Sequence, residues 1–375
     1  MHTDMNVLHI VDKLTEPVFS FLGPACESLA RAGYHQTVVM LDVPRYRPLQ
    51  YKLPAQVHVE IIPVEPSIWQ NWMAMNKLIQ ELLAQNTYSA IHFHGFTAWA
   101  VGSRMGTLLP RNAKVFYSPH GSRTLTMFRP VQSALGSFMG MLGSRRPQLI
   151  ASSQSDARRA SKGSVGRRIT TIESAVEETY FQAEQAESRR PLLVSGDVTR
   201  NHRSVEMFCR LAVVMGAGEL GLSFNWLGQP DSTSVARLKA ANVGIFPAAN
   251  TEDAAAKLAS AWIYVAASDA DEFPIMLARA MAVGLPCVVL RTSYHADLIT
   301  HEQNGLVYET EAEAMSMVGR LIDDPDLREK LGAAAKADAK ARLSSTQLDG
   351  ALLVAYARAP SAASSKRQLT RVRPN

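Results

Sequence analysis

The run at residues 267–289, ASDADEFPIMLARAMAVGLPCVV, carries residue types suited to holding a phosphorylated ligand. A β-branched stretch ends near Ser268 and an acidic loop follows. Pro274 then stands where a helix would open, with Gly284 and Pro286 behind its last turn. This punctuation predicts a helix over 275–283, because proline suits a first turn and glycine a left-handed stop. Such a helix presents unpaired N–H groups and the positive end of its dipole to phosphate oxygens. Arg279 within it, and Arg200 and Arg203 behind residues 192–195, add guanidinium groups that can grip a phosphate through paired hydrogen bonds. His120, after a strand-like run and before Gly121, can steer a leaving phosphate or donate a hydrogen bond at neutral pH. A strand-capping role would place a histidine there equally well.

Two tempting motifs fail on context. Gly216-Ala-Gly218-Glu-Leu-Gly221 has the letters of a dinucleotide fingerprint, but its glycines follow a helical segment and precede a strand, the reverse of what phosphate binding needs. Asp269-Ala-Asp271 offers two carboxylates to a hard cation, yet a short acidic loop after a strand is common, and no metal is expected. There is no P-loop and no zinc spacing.

Short β-branched runs alternate with helical-period segments along most of the chain, which predicts parallel sheets built from βαβ units. The first half reads as strands at 7–11, 37–41, 57–62, 90–94 and 114–118, with helices at 23–32, 69–85 and 98–109. The second half reads as strands at 192–195, 222–227, 243–247, 262–267 and 287–290, with helices at 204–215, 232–241, 252–260 and 275–283. Residues 304–308 read as a turn feeding a further strand, and later helices are expected at 311–323, 326–341 and 344–357. The polar segment 184–191 marks the boundary, giving domains at 1–183 and 184–343. Helix 344–358 is expected to pack back on the first domain, with a disordered basic tail at 359–375.

A chain of 375 residues with 47% hydrophobic residues is too apolar for a disordered protein and long enough for two cores. Three cysteines make no disulfide scaffold and read as reduced thiols of a cytosolic protein. No basic leader and no membrane-spanning apolar run are apparent, so a cytoplasmic location is expected. The net charge of +5 conceals an uneven distribution: residues 101–172 hold twelve lysines and arginines, Arg123 among them, against Asp156 alone. Phe128, Val131, Leu135, Phe138, Met139 and Leu142 fall near helical spacing inside that run. An ordinary core-facing helix accounts for the spacing. The charge favours an anionic membrane surface as a peripheral partner, and nucleic acid is not expected.

The segment 267–289, with Phe273-Pro274 and the Gly284-Leu-Pro286 stop, resembles the C-terminal domain of the retaining, nucleotide-sugar-dependent glycosyltransferases of family 4, which have the two-domain Rossmann-like GT-B fold. Val7-Leu-His-Ile10, Ile91-His-Phe-His-Gly95, Ser118-Pro-His-Gly121, residues 150–155 and residues 168–181 fall in the order of that family. The resemblance implies a sugar moved from a UDP- or GDP-linked donor to an acceptor hydroxyl, with retention and without a metal cofactor. It implies a catalytic role for His120 and Asp271, and donor contacts from Glu272, Phe273, Pro274, His295 and Asp297. His94, Arg123 and the apolar loop at 15–22, with Glu16 and Phe19, would lie on the acceptor side. That loop stands where the family has a Gly-Gly pair, and suits a lipid-linked or surface-polysaccharide acceptor.

The departures are chemical. The E-x7-E pair of the family becomes Asp271 and Arg279. An aspartate still accepts from sugar hydroxyls with shorter reach, but a guanidinium has no acceptor for ribose hydroxyls. Gly196 and Asn201 occupy the positions of the family's two diphosphate-neutralising cations, and Arg200, Arg203 and Arg279 are the expected substitutes. The same losses motivate a competing expectation, a catalytically inactive GT-B scaffold that binds a partner. An epimerase on the same fold has no positive support in the sequence.

Overall fold

A computed structural model describes residues 5–95, 98, 109–121, 147–162, 168–186, 190–196, 202–218, 221–268 and 272–357. Numbered along these residues, the first half runs β1 (Asn6–Val11), α1 (Glu16–Arg31), β2 (His35–Asp42), α2 (Arg47–Gln50), β3 (Val57–Pro63), α3 (Ile68–Gln85), β4 (Ala90–His94), β5 (Lys114–Ser118), β6 (Gln148–Ala151), α4 (Gln154–Lys162), β7 (Ile169–Thr171) and α5 (Glu178–Gln182). The second runs β8 (Leu192–Ser195), α6 (Arg203–Gly216), β9 (Ser223–Leu227), α7 (Ser232–Ala240), β10 (Gly244–Phe246), α8 (Thr251–Ala259) and β11 (Ile263–Ala266). It continues through α9 (Ile275–Val283), β12 (Cys287–Leu290), α10 (His295–Leu298), β13 (Leu306–Tyr308), α11 (Glu311–Asp323), α12 (Pro325–Leu343) and α13 (Ser345–Tyr356).

The strands form two sheets, ordered β3-β2-β1-β4-β5-β6-β7 and β10-β9-β8-β11-β12-β13. Every pairing between them is parallel. Both are doubly wound, and the winding reverses between β1 and β4 in the first and between β8 and β11 in the second. In open parallel sheets the crevice for a ligand lies at that reversal, beyond the carboxyl ends of the strands. The strands are apolar on both faces, as helix-covered parallel strands must be: Val7, Leu8, Ile10 and Val11 of β1 are all fully buried.

The first helix corrects the sequence reading. Gly23-Pro24 looks like an opening turn, but α1 begins at Glu16 and runs through Pro24. Pro24 cannot donate to the carbonyl one turn back, at a cost of roughly 3 kcal/mol. Burial of Phe21, Leu22, Ala25, Cys26 and Leu29 on one face offsets that cost, each large side chain by about 1.5–3 kcal/mol. Thr15 precedes the helix in extended conformation, Pro17 sits in its first turn, and Glu16 lies at the positive dipole end. The expected loop at 15–22 is therefore two rigid turns, with Glu16 and Phe19 both half-buried.

The cores change hands earlier than the polar segment suggests. Ile172 and Ala175 pack with the first domain, whereas Val176, Tyr180 and Phe181 already belong to the core around α9. The last helix, α13, lays Leu348, Leu352, Ala355 and Tyr356 against Phe21, Ala25 and Leu29 of α1 and Phe116 of β5. Lys114 closes its carboxyl end by donating to the carbonyls of Ala355 and Ala357. This is where a cation favours the helix dipole. Residues 127–146 and 359–375, expected to form a basic helix and a tail, lie outside the described residues.

Candidate active site

The C-terminal crevice opens at the β8–β11 reversal. Ser195, Gly196, Tyr264, Ser268, Pro274, Leu277 and His295 line it. Pro274 precedes α9 and supplies no side-chain cap; the Ile275 amide bonds the Phe273 carbonyl at 2.9 Å, and the Met276 and Leu277 amides of the first turn have no backbone partner among the described residues. Gly284, in left-handed conformation, ends the helix as its sequence predicts. Phe273 is buried beneath the opening turn and Glu272 is half-buried beside it. Asp271 lies outside the described residues, as do Arg200 and Arg123. Arg203 is exposed at the start of α6.

Three donor-side expectations are revised. Arg279 does not reach into the crevice as a free phosphate ligand. Its guanidinium donates to both carboxylate oxygens of Glu177, lies 5.2 Å from the centroid of the Tyr180 ring, and is only 14% exposed. A guanidinium removed from water needs a carboxylate partner, and residues 176–181 bring one from the crossover between domains. Burial alone would push the Glu177 carboxyl up, but the charge and hydrogen bonds of Arg279 hold it below the usual range.

Asp297 is likewise committed elsewhere. It accepts from the Ser155 amide (2.7 Å) and pairs with Arg158, joining α10 to the first turn of α4. Tyr294 donates to the buried Asp156 at 2.6 Å, and Arg159 packs over the Tyr294 ring. Arg158 and Arg159 of the basic run 101–172 thus contact residues 293–297 of the second half, although Arg158 stays exposed. His295 is buried, and its Nδ1 donates to the Leu290 carbonyl at 2.8 Å. Burial, opposed by that bond, lowers its pKa to about 4. It is therefore neutral at pH 7 and supplies no positive charge to a phosphate.

The cation that the family places at the position of Gly196 is excluded here by backbone packing. A Cβ on Gly196 would sit 2.6 Å from the Leu227 carbonyl oxygen, and the Gly196 carbonyl accepts from Tyr264 Oη at 2.7 Å. No side chain fits there without a shift of β9.

In the first domain the structure gathers four histidines at the β1–β4 reversal. His120 Nε2 lies 3.0 Å from His94 Nδ1, and His94 Nε2 lies 3.2 Å from His9 Nδ1. His92 bonds Tyr356 Oη (2.5 Å) and Ser118 Oγ (2.9 Å). Nitrogens of His9, His92 and His94 lie within 4.8 Å of one another, close enough to invite a metal. Both His92 nitrogens and those joining His9 to His94 are already engaged, and the arrangement reads as a hydrogen-bonded file. Burial lowers the pKa of His9 to about 4 and of His120 to about 3, and holds His92 and His94 well below the ordinary range. His120 adopts a left-handed backbone (φ 50°), and its Nδ1 has no partner among the described residues. Such strain tends to persist where a site requires it.

Sequence reasoning singled out His94 and His120 but passed over His9, His92 and Glu177. His92 and His94 are two apart, and the two-residue period of a strand puts both on one face; that signal was readable. Glu177 stands among three acids of residues 173–178 with nothing to mark it.

Two Rossmann-like parallel-sheet domains, with a crevice at the reversal point of the second, define the GT-B fold. A family model described as Glycosyltransferase Family 4 matches residues 25–179, and one described as Glycosyl transferases group 1 matches residues 229–338. The chain is thus a family 4-like glycosyltransferase of the GT-B fold. Among solved structures it is similar to a glycosyltransferase from Rickettsia africae (12% identity, 94% of this chain and 97% of that one, TM-score 0.75). It is also similar to Anabaena HepE in complex with UDP-glucose (12% identity, 93% and 98%, TM-score 0.74). A third is the sucrose-phosphate synthase of Thermosynechococcus elongatus (13% identity, 94% and 98%, TM-score 0.74). At these identities the likeness is one of fold. No curated protein matches the chain by sequence.

Proposed function

We propose that the chain transfers a sugar from a UDP- or GDP-linked donor to an acceptor hydroxyl, with retention and without a metal ion. The observation that carries this reading is the start of α9 at the β8–β11 reversal, which Pro274 leaves without a side-chain cap, beside a crevice whose lining includes Ser195, Gly196, Ser204 and Ser268. The anomeric C–O bond to the diphosphate breaks as the acceptor oxygen bonds to the same face of the sugar. The acceptor proton passes to the departing phosphate oxygen. The α9 dipole and its first amides stabilise charge on the leaving diphosphate, the electrostatic contribution that usually dominates. Arg200 and Arg203 remain the cations to add to it. With Arg279 paired, the acceptor for ribose hydroxyls becomes Glu177, whose carboxylate stands beside the position the family gives to glutamate.

Calorimetric titration with UDP, GDP, ADP and their glucose conjugates tests this. One nucleotide is expected to bind in the micromolar range and to lose binding in Ser268→Trp, which fills the mouth of the crevice from a half-exposed position. The committed Arg279–Glu177 pair and the closed position at Gly196 favour the inactive-scaffold reading, and absence of binding by all six, with the fold intact by circular dichroism, would establish it.

The acceptor in this proposal is lipid-linked or a surface polysaccharide, met from the cytoplasmic side. Among the described residues no helix is long and apolar enough to cross a membrane. Peripheral contact therefore rests on the remaining cations of residues 101–172. Sedimentation with anionic vesicles is expected to weaken with salt; equal recovery on neutral vesicles would remove the membrane from the proposal.

A further inference from the structure

The first domain carries an apolar surface that its core does not explain. Of the ten large hydrophobic side chains exposed among the described residues, six lie between Tyr51 and Met73. α3 turns Met75, Ile79 and Leu82 inward, against Ile62 of β3. An amphipathic helix needs apolar residues on that stripe alone. Trp69 and Met73, one turn apart on the outer side, are nonetheless 57% and 50% exposed, and Ile68 projects from the first turn at 81%. The Trp69 ring stacks on that of the half-buried Trp72, with 4.9 Å between centroids. This turn is held firmly. The buried Asn71 side chain accepts from the Glu65 amide at 2.8 Å and donates to the Glu65 carbonyl at 2.9 Å, which folds residues 63–67, with the exposed Val64, back onto α3.

Cations stand beside this surface. β2 and β3 run parallel with Asp42 opposite Pro63, so the segments that follow them leave the sheet side by side. The segment after β2, residues 43–53, holds Arg45, Arg47 and Lys52 and no acid. Arg47 is paired with Asp42, while Arg45, Tyr51 and Lys52 are exposed. The segment after β3, residues 63–73, holds Glu65 as its one charge. Indole rings, aliphatic side chains and cations gathered at one edge suit the boundary layer of a lipid leaflet, where apolar groups enter and cations meet phosphates.

We propose that residues 43–53 and 63–73 form a membrane-docking rim, with Ile68, Trp69 and Met73 entering an anionic leaflet and Arg45 and Lys52 resting on its phosphates. The cations of residues 101–172 would attract the same leaflet; the rim supplies the apolar contact that holds it. A second copy of the chain fits this surface less well, because a two-fold contact sets Arg45 and Lys52 against their own copies. Val64, Ile68, Trp69 and Met73 together present on the order of 500 Å², short of the roughly 800 Å² that each partner buries in a stable complex. β2 and β3 end on the same side of the sheet as β1 and β4, so the rim edges the end that carries His94. A leaflet docked there brings a lipid-linked acceptor to the acceptor side of the site. That purpose rests on the transferase reading; the docking does not.

Flotation with vesicles of phosphatidylglycerol and phosphatidylcholine tests the rim. Ile68→Glu should keep its fold, because position 68 is exposed and an acid in the first turn suits the helix dipole. It is expected to lower vesicle partitioning roughly tenfold or more. Arg45→Gln with Lys52→Gln is expected to lower it roughly tenfold at low salt and less at high salt. With dibrominated acyl chains in the vesicles, wild-type tryptophan emission is expected to be quenched, the buried Trp226 contributing little. Trp69→Phe keeps the apolar surface and is expected to bind with much of that quenching gone. Wild-type partitioning by Ile68→Glu overturns the rim and leaves membrane contact to residues 101–172. Undiminished quenching in Trp69→Phe, or binding as strong on neutral vesicles as on anionic ones, also overturns it. The quenching result decides alone if the Glu variant does not fold. A dimer in sedimentation velocity that Ile68→Glu dissolves assigns the surface to a second copy and overturns the membrane. Failure of the wild type to bind any vesicle overturns the rim, while the nucleotide titration still decides the transferase reading.

Discussion

Arg279→Ala is expected to lower the stability of the C-terminal domain by about 3 kcal/mol, near what loss of one partner of a buried ion pair costs. The guanidinium is 14% exposed and holds both oxygens of Glu177, so its removal leaves a carboxylate in a setting where burial alone already disfavours charge. It also strips the cation from the Tyr180 ring, a contact of roughly 0.5–2 kcal/mol when desolvated. Glu177 is 32% exposed, and water relieves part of the cost. The double variant Arg279→Met with Glu177→Gln is expected to regain much of the loss, because no charge is then buried alone. Urea unfolding of the wild type, the two single variants and the double variant measures the coupling. A coupling below about 1 kcal/mol would mean that the pair does not join the crossover to α9. The consequence reaches function. If Arg279 is a clamp, its variants move stability before nucleotide affinity, whereas Ser268→Trp does the reverse.

How far these residues could be read from the chain depended on whether the deciding contact was local. Residues 90–94, 114–118, 275–283, 287–290 and 311–323 carry their own punctuation, and the corresponding elements have those same bounds. The start of α1 was misread because Gly23-Pro24 mimics a helix opening, while the packing that keeps the helix running back to Glu16 is tertiary. Arg279 was legible as a cation without an acceptor, but its partner lies 102 residues away, on a segment whose docking only the fold reveals. The histidine file required knowledge that β1 neighbours β4, with His9 beside His92 and Val11 beside His94, a register no local pattern states. The crevice itself was visible in outline, because strand, loop and proline-opened helix are contiguous. Which charges face it was not.

The histidine file also makes the first domain acid-sensitive. His9 and His120 titrate in the folded protein at about 4 and about 3, with His92 and His94 also well below the ordinary range, in each case chiefly through burial. Unfolded, each would titrate near 6.5. The folded pKa is depressed, so the unfolded chain binds more protons below pH 6.5. The stability that the neutral rings contribute is therefore intact above that pH and is lost as pH falls from 6.5 toward 4. Each histidine gives a slope approaching about 1.4 kcal/mol per pH unit in this window. Four together should remove about 4–5 kcal/mol between pH 7.5 and pH 5.5, a large share of the roughly 5–15 kcal/mol by which a domain is stable. Urea midpoints at pH 7.5, 6.5 and 5.5, followed through the first domain, are expected to fall steeply. His9→Gln is expected to flatten the fall by about a quarter, since it removes one of the four protons taken up on unfolding. A midpoint that does not move between pH 7.5 and 5.5 would mean that the rings reach solvent or a carboxylate before the domain opens, and the sealed file would then be wrong.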